Sequence, residues 1–159
     1  MTINPLTKEE MESWPSEPLV NLAKPFIDDR GSIQPLVDLM MRSAVMIHSK
    51  AGSLRANHYH KTDWHYCYVI YGKIEYFYKN VDSEKKTKLL IAEKGSMIFT
   101  PPLVEHCMKF PEETLFLTLS RNPRDQKTYE EDVVRVNLIN DSEYITWKPN
   151  ENNKLQKEE

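Results

Sequence analysis

Short runs of β-branched and aromatic residues recur along most of the chain, and polar turn segments separate them. The runs are SAVMIHS (43–49), HYCYVIY (65–71), IEYFY (74–78), LLIA (89–92), SMIFT (96–100), HCMKF (106–110) and TLFLTLS (114–120). Gly72-Lys73 marks a tight hairpin between the second and third runs. Short strands joined by turns in this way predict an all-β sandwich or barrel rather than a βαβ arrangement.

Helical patterns occur only near the two ends of the chain. LTKEEMESW (6–14) contains Thr7 followed by Glu10, which is the signature of a capping box at a helix start. PRDQKTYEED (123–132) is the second candidate. The sequence therefore predicts short terminal helical segments around a body made of strands.

The remaining segments set the domain organisation. GSIQPLVD (31–38) predicts an edge strand, because Pro35 has no N–H to donate to a ladder. We expect an N-terminal extension over residues 1–25, a single β-barrel domain over 26–148, and a disordered polar tail over 149–159, where no apolar pattern is present.

Composition and charge narrow the classes of function. The net charge is −3, the pI is about 6.0, and Lys and Arg are scattered, which argues against nucleic acid as the main partner. No apolar run is long enough to span a bilayer, and the N-terminus has no signal-peptide pattern, so we expect a cytoplasmic protein. Cys67 and Cys107 lie in apolar stretches without metal-motif spacing, which predicts two buried free thiols.

Histidine is concentrated in one place. Three of the five histidines, His58, His60 and His65, lie in NHYHKTDWHY (57–66). On a strand, His58 and His60 project from one face, and His65 joins them if residues 61–64 form a turn. His106 follows a Pro-Pro stop and is the candidate fourth ligand from a distant strand. We predict one divalent transition metal ion held by these four residues, and imidazole suits Zn, Mn, Fe, Ni and Cu alike.

Two acidic residues are placed beside these ligands. Asp63 and Glu105 each precede a histidine by one or two positions and can orient an imidazole by hydrogen bonding. The alternative is that both are exposed carboxylates in turns.

The spacing of these residues resembles the two motifs of the cupin superfamily. Gly52, His58, His60 and Gly72 match the first motif, and His65 stands where that motif carries Glu. The second motif is matched by three residues and departs at two others: Gly95, Pro101 and His106 match, while its later Gly is Leu103 and its terminal Asn is Phe110. The resemblance implies a single-domain cupin β-barrel (a jelly roll, or double-stranded β-helix), which is often a homodimer, with a metal held inside it.

A narrower resemblance points to cupins that act on nucleotide sugars, the dTDP-sugar 3,4-ketoisomerases and 3,5-epimerases. It is carried by DDRGSI (28–33), by Arg55 before His58-Tyr59-His60-Lys61, and by YEEDVVRV (129–136). The Gly that usually follows the arginine is Ala56 here. The resemblance implies that His58 or His60 is a catalytic acid or base and that Arg55 contacts phosphate or sugar; Lys61 is a further substrate-binding candidate. Enzymes of this kind generally work without metal.

Three functions are compatible with these observations. The first is an isomerase or epimerase that moves a proton next to the carbonyl of a nucleotide-linked sugar. The second is a mononuclear metal-dependent dioxygenase, whose neutral histidine shell leaves coordination positions for substrate and dioxygen. The third is a non-catalytic cupin that binds a metal or a sugar. The first is preferred, because it also uses Arg55 and the N-terminal DRG sequence.

Overall fold

A computed structural model describes residues 2–148 of the chain. Its strands are β1 Phe26–Asp28, β2 Gly31–Ile33, β3 Ser43–Ser49, β4 Ser53–His60, β5 His65–Tyr71, β6 Lys73–Asn80, β7 Lys88–Glu93, β8 Met97–Thr100, β9 Val104–Phe110, β10 Thr114–Ser120 and β11 Val133–Arg135. Its helices are α1 Lys8–Glu12 and α2 Gln126–Asp132. The predicted tail, 149–159, lies outside the described residues.

Two antiparallel sheets form the body of the molecule. One has the order β3-β10-β5-β8 and the other has the order β11-β4-β9-β6-β7, while β1 and β2 form a separate hairpin. Apolar side chains from both sheets meet in one buried cluster: Cys67, Val69, Ile98 and Phe116 from the first, and Ile74, Tyr76, Ala92, Met108 and Phe110 from the second. Burial of this area drives the two sheets together. The predicted all-β barrel is confirmed.

The N-terminal residues pack on the outside of the four-stranded sheet. Trp14 and Val20 contact a second buried cluster, which consists of Trp64, Tyr66, Met97 and Phe99. The chain also pairs with the free edge of β8, because Phe99 N–H donates to the Pro18 carbonyl (2.8 Å) and Val20 N–H donates to the Met97 carbonyl (2.9 Å). The extension therefore covers an apolar face and a sheet edge that would otherwise meet water.

The seven predicted strands and both helices are present. The predicted hairpin at Gly72-Lys73 is wrong, because β5 and β6 do not pair and belong to different sheets. The capping box of α1 is complete, since Thr7 Oγ1 accepts from Glu10 N–H (3.1 Å) and Glu10 Oε2 accepts from Thr7 N–H (3.0 Å). The predicted edge strand over 31–38 is wrong beyond Ile33, where β2 ends after pairing with β1. Pro35 cannot donate to a ladder, and the Gln34 side chain donates instead to the Ala23 and Pro35 carbonyls.

A β-bulge in β4 sets the direction of the side chains before the histidines. Ala56 and Asn57 have positive φ (69° and 57°), and the pairing with β9 skips one residue between Ala56 and His58. Arg55 and His58 are three positions apart and would face opposite sides of a regular strand. Because of the bulge, Arg55 pairs with Met108 and His58 pairs with His106, and these two residues of β9 are both buried.

The remaining predictions about the chain concern its thiols and membrane segments. Cys67 and Cys107 are free and buried, as expected. Among residues 2–148, neither helix has the length and apolar character needed to cross a membrane.

Candidate functional site

The four histidines of the two motifs meet inside the barrel. His58 and His60 lie at the end of β4, His65 begins β5, and His106 lies on the neighbouring β9. The turn over residues 61–64, which the sequence required, is present, and the N–H of Leu103 in the second motif donates to the His60 carbonyl (2.9 Å). The His58 ring centre is 4.8 Å from that of His60 and 4.7 Å from that of His106.

The histidines form two overlapping groups. Ring nitrogens of His58, His60 and His106 lie within 4.8 Å of one another, which is close enough to share an ion. His65 belongs with His60 and Asp63 in a second group, and its ring centre is 5.6 Å from those of His60 and His106. The four predicted ligands are thus brought together, with His60 common to both groups.

A buried carboxylate holds one ring nitrogen of His60. Asp132, the last residue of α2, places Oδ2 3.2 Å from His60 Nδ1, and the two side chains are 3% and 5% exposed. The same carboxylate accepts three further hydrogen bonds, from Thr62 N–H (2.9 Å), Thr62 Oγ1–H (2.6 Å) and Asp63 N–H (3.0 Å). Burial raises the pKa of Asp132, but these hydrogen bonds, led by that of His60, outweigh it and hold the pKa at about 2.

The pKa values of His58, His65 and His106 are lowered. Burial, followed by the proximity of the neighbouring imidazoles, lowers the pKa of His58 and that of His65 far below the usual value. Burial, followed by the proximity of the His60 imidazole, lowers the pKa of His106 to about 3. At neutral pH these rings keep a lone pair that can accept a proton or bind a metal.

Helix α2 covers the histidines from outside the barrel. The Tyr129 ring centre is 6.3 Å from that of His58 and 5.7 Å from that of His60. The Arg124 guanidinium lies over the Tyr129 ring, 3.7 Å from the ring centre. Burial raises the pKa of the Tyr129 hydroxyl, so this group stays protonated at neutral pH. His58 is the half-buried member of the three-histidine group and marks its more open side.

Two further arginines lie on the strands that carry or flank the histidines. Arg55 donates to Ser49 Oγ (2.8 Å) and to the His48 carbonyl (3.0 Å) and is otherwise exposed. Arg135 pairs with His58 in the β11–β4 ladder and forms two 2.8 Å hydrogen bonds with Glu130. Arg135 and Arg124 act on the site electrostatically, since they contribute to the lowered pKa of His58 and of His65, respectively.

The other predicted site residues are placed as follows. The Lys61 ammonium donates to the Glu131 carbonyl (2.8 Å) on the solvent side of α2. Glu105 points away from His106 and lies 3.7 Å from the Lys79 ammonium. Asp63 is buried, with Oδ2 4.0 Å from His65 Nδ1, while its Oδ1 accepts from the Asn122 N–H (2.8 Å).

Sequence reasoning missed Asp132 and Tyr129. Asp132 is 72 positions from His60, so no local motif joins them. The signal that could have found them is YEEDVVRV (129–136), which begins with Tyr129 and contains Asp132 as the only acidic residue directly before a β-branched pair.

The donor set fits a metal ion. His60 Nδ1 faces Asp132, and His106 Nδ1 lies 3.0 Å from the Val104 carbonyl, so each ring has its Nε2 available. Metal-binding histidines usually use their second nitrogen in this way. Within residues 2–148 the His58 ring makes no hydrogen bond that would occupy either of its nitrogens.

Taken together, a two-sheet antiparallel barrel with histidines from both motifs on its inner face defines the cupin fold. Solved structures agree. The 3,4-ketoisomerase QdtA from Thermoanaerobacterium thermosaccharolyticum, a double mutant in complex with TDP, matches with a TM-score of 0.61 and 22% identity over 74% of this chain and 85% of that one.

Two other structures extend the comparison. The dTDP-4-dehydrorhamnose 3,5-epimerase from Sulfolobus tokodaii matches with a TM-score of 0.63 and 19% identity, over 80% of this chain and 83% of that one. A 3,4-ketoisomerase from Helicobacter canadensis matches with a TM-score of 0.61 and 18% identity, over 74% and 88%. No family model and no curated protein matches the chain. The resemblance to cupins, including those that act on nucleotide sugars, is therefore confirmed for the fold.

Proposed function

We propose that this protein is an isomerase or epimerase that moves a proton next to the carbonyl group of a nucleotide-linked 4-keto sugar. The observation that carries the proposal is the buried pair His60–Asp132, 3.2 Å apart, on the inner face of the barrel. A histidine whose Nδ1 faces a carboxylate has a fixed tautomer and a more basic Nε2, which is the arrangement that a general base requires. The likeness of the fold to ketoisomerases and an epimerase supports the same class.

His60 would remove the proton. The C–H bond next to the ketone breaks, the proton moves to His60 Nε2, and the electron pair forms an enediolate whose charge rests on the former carbonyl oxygen. The imidazolium is stabilised by Asp132, which stays ionised because its pKa is about 2. Return of the proton to a neighbouring carbon gives isomerisation, and delivery to the opposite face gives epimerisation.

Tyr129 is the second proton carrier in this proposal. It contacts both His58 and His60, and its hydroxyl is protonated at neutral pH. A protonated phenol beside the base can donate to the enediolate while His60 still holds the abstracted proton. His58, whose ring makes no hydrogen bond within the described residues, is free to contact the substrate oxygen.

Arg55, Arg124 and Arg135 would bind the phosphates of the nucleotide. Guanidinium groups suit phosphate oxygens because they can donate two parallel hydrogen bonds. Arg135 already shows this geometry with the carboxylate of Glu130. A homodimer and a cytoplasmic location remain predictions made from the sequence.

A divalent metal would be held by His58, His60 and His106, and in the metal-bound protein His60 Nε2 would be a ligand instead of the base. When bound, such an ion acts as a Lewis acid that polarises a carbonyl oxygen. Elemental analysis of protein purified without chelators tests this assignment. We expect stoichiometric metal in the wild type and its loss in His58→Ala and in His106→Ala, with His48→Ala, a surface histidine, as the control. Metal-free wild type would leave the proton transfer to the side chains alone.

A dioxygenase is the second candidate, favoured by three imidazoles whose ring nitrogens lie within 4.8 Å of one another. Oxygen uptake separates it from the first. Consumption of dioxygen by the protein loaded with Fe(II), Cu or Mn would support the dioxygenase, and zinc alone with no uptake would remove it.

The main proposal is tested by incubating the protein with a panel of dTDP-4-keto-6-deoxy sugars in D₂O. We expect the proton signals next to the ketone to disappear and a ketoisomer or epimer to form. Binding without exchange across the panel would reject the enzyme and leave a non-catalytic sugar-binding cupin.

A further inference from the structure

The N-terminal helix is joined to the barrel by a half-buried ion pair between Glu10 and Arg121. Glu10, on α1, accepts hydrogen bonds from Arg121 Nε and from Arg121 Nη2, and the Trp64 indole N–H also donates to Glu10 Oε1 (3.0 Å). Arg121 is only 9% exposed and lies 111 positions away from Glu10. The hydrogen bond from Arg121 is the main cause that lowers the pKa of Glu10 to about 2, so this carboxylate is charged throughout the neutral range.

Arg121 is also the start of a path that leads inward. Its Nη1 donates to Asn122 Oδ1 (3.0 Å), and Asn122 Nδ2 donates to Thr62 Oγ1 (3.0 Å). The Thr62 hydroxyl donates to Asp132 Oδ1 (2.6 Å), and Asp132 Oδ2 faces His60 Nδ1 (3.2 Å). Hydrogen bonds therefore run without interruption from the N-terminal helix to the proposed base.

Each step of this path has only one direction. Arginine has donors alone, so the Asn122 amide must turn its oxygen toward Arg121 and its NH₂ toward Thr62. The Thr62 hydroxyl has one hydrogen; since it accepts from Asn122, it gives that hydrogen to Asp132. The carboxylate is thereby fixed with Oδ1 toward Thr62 and Oδ2 toward His60.

We infer that Glu10, Arg121 and Asn122 are positioning residues for the proton-transfer pair, and that the N-terminal segment is part of the catalytic structure. This inference rests on the proposed function, because it assigns these residues a role in the same site. They do not touch the substrate. They act by orienting Thr62, and through it Asp132 and the Nδ1–H tautomer of His60.

Kinetics of Glu10→Gln tests the outer end of the path. The neutral amide keeps the shape of the side chain but weakens the hold on Arg121, so we expect kcat to fall about 10- to 100-fold with little change in KM. Glu9→Gln is the matched control: Glu9 is the preceding residue on α1 and lines the same cavity of about 450 Å³, but its carboxylate makes no contact with Arg121 within residues 2–148. Equal kcat values for the two variants would overturn the inference.

Thr62 tests the inner end and also covers the case in which Glu10→Gln does not fold. Thr62→Ser retains the hydroxyl and should keep wild-type kcat. Thr62→Val has the same shape without the hydroxyl and should lose as much activity as Asn122→Asp, which places an oxygen toward Thr62. If Thr62→Val remains as active as Thr62→Ser, the path has no positioning role.

NMR of the imidazole nitrogens gives a readout that needs no substrate. In the ¹⁵N-labelled full-length protein we expect His60 to show the Nδ1–H tautomer, and Glu10→Gln and Thr62→Val to shift or broaden this signal while Glu9→Gln does not. A His60 signal unchanged in all variants would overturn the inference. Shifted signals without turnover of any sugar would support the positioning and reject the proposed function instead.

Discussion

Asp63 and Asp132 both lie beside His60, and their pKa values are shifted in opposite directions. Burial raises the pKa of Asp63 from 3.8 to about 6, against the opposing effects of His60 and of the Asn122 N–H. The pKa of Asp132 is held at about 2, because its hydrogen bonds outweigh burial. The pKa values of the two neighbouring carboxylates thus differ because Asp132 accepts four hydrogen bonds and Asp63 does not.

These shifts give a stability profile with a definite sign. A raised pKa in Asp63 contributes stability that is complete below 3.8 and is lost as the pH rises through about 6. The lowered pKa of Asp132 contributes stability above 3.8 that is lost as the pH falls toward 2. Between pH 4 and 7, the contribution of these two carboxylates therefore comes from Asp63. The lowered pKa values of His58, His65 and His106 act with the opposite sign, since their stability is lost as the pH falls below 6.5.

We predict that Asp63→Asn stabilises the protein at pH 7 by up to about 3 kcal/mol and changes little at pH 4, since a shift of one pKa unit corresponds to about 1.4 kcal/mol. Urea unfolding of both proteins at several pH values between 4 and 7 measures the difference. Asp132→Asn, which removes the charge that His60 faces, should instead destabilise at pH 7. A difference that does not depend on pH would contradict the assignment for Asp63.

Two residues with positive φ stand where a resemblance carries glycine: Leu103 in the second cupin motif and Ala56 in the nucleotide-sugar pattern. Leu103 has φ of 60° and Ala56 has φ of 69°, and both departures were visible in the sequence. A left-handed conformation costs an L-residue about 1–2 kcal/mol, which glycine avoids.

We therefore expect Leu103→Gly and Ala56→Gly to raise the free energy of unfolding by about 1 kcal/mol each. The left-handed strain that is relieved is larger, but the greater chain entropy of glycine in the unfolded state offsets part of it. Leu103 is 54% exposed, so little buried area is lost with its side chain. Chemical denaturation checks this, with Leu89→Gly, at an exposed strand position of negative φ, as a control that should destabilise.

At the scale of elements, the turn that carries the chain from β5 in one sheet to β6 in the other depends on Gly72. Its φ is 94°, and a Cβ at this position would lie 2.4 Å from the Glu113 carbonyl oxygen. The neighbouring chain that connects β9 and β10 therefore requires the absence of a side chain as well as a left-handed backbone.

Gly72→Ala should accordingly destabilise the protein by several kcal/mol, more than the roughly 1–2 kcal/mol of the backbone conformation alone. Gly95→Ala is the matched control, because Gly95 has a similar φ of 85° and nothing within 4 Å of a Cβ. Thermal melts of the two variants distinguish the contributions. Equal losses of stability in the two variants would contradict this prediction, because the contact with the Glu113 carbonyl would then have no measurable effect.

The strands and the shared face of His58 and His60 could be predicted from the sequence, because both depend on the spacing of residues that are close together in the chain. HYCYVIY becomes β5, and His58 and His60 face inward together. The bulge at Ala56-Asn57 could not be predicted, since its positive φ values follow from the pairing of β4 with β9 and from the hydrogen bonds of the Asn57 side chain with Ile139. The role of Asp132 could not be predicted for a similar reason, since only the fold brings it to His60, which is 72 positions away.

For the whole molecule, exposed apolar side chains bear on the predicted homodimer. Phe26, Ile27 and Ile33 of the β1–β2 hairpin are 59%, 72% and 64% exposed, and a lone two-stranded hairpin is marginally stable in water. We expect a dimer in sedimentation equilibrium at micromolar concentration and its dissociation in Ile27→Lys. Leu89→Lys, on the exposed face of β7, serves as the control. A monomeric wild type would contradict the prediction.

The central claim is that the His60–Asp132 pair moves a proton next to a sugar ketone. Its most direct test is the rate of deuterium incorporation from D₂O into a dTDP-4-keto-6-deoxy sugar, followed by mass spectrometry for the wild type, Asp132→Asn and Glu131→Gln. We predict incorporation by the wild type, a rate about 10²- to 10⁴-fold lower for Asp132→Asn, and a wild-type rate for Glu131→Gln, whose side chain lies outside the pair. Incorporation by Asp132→Asn as fast as by the wild type, or none by the wild type above the protein-free rate, would contradict it.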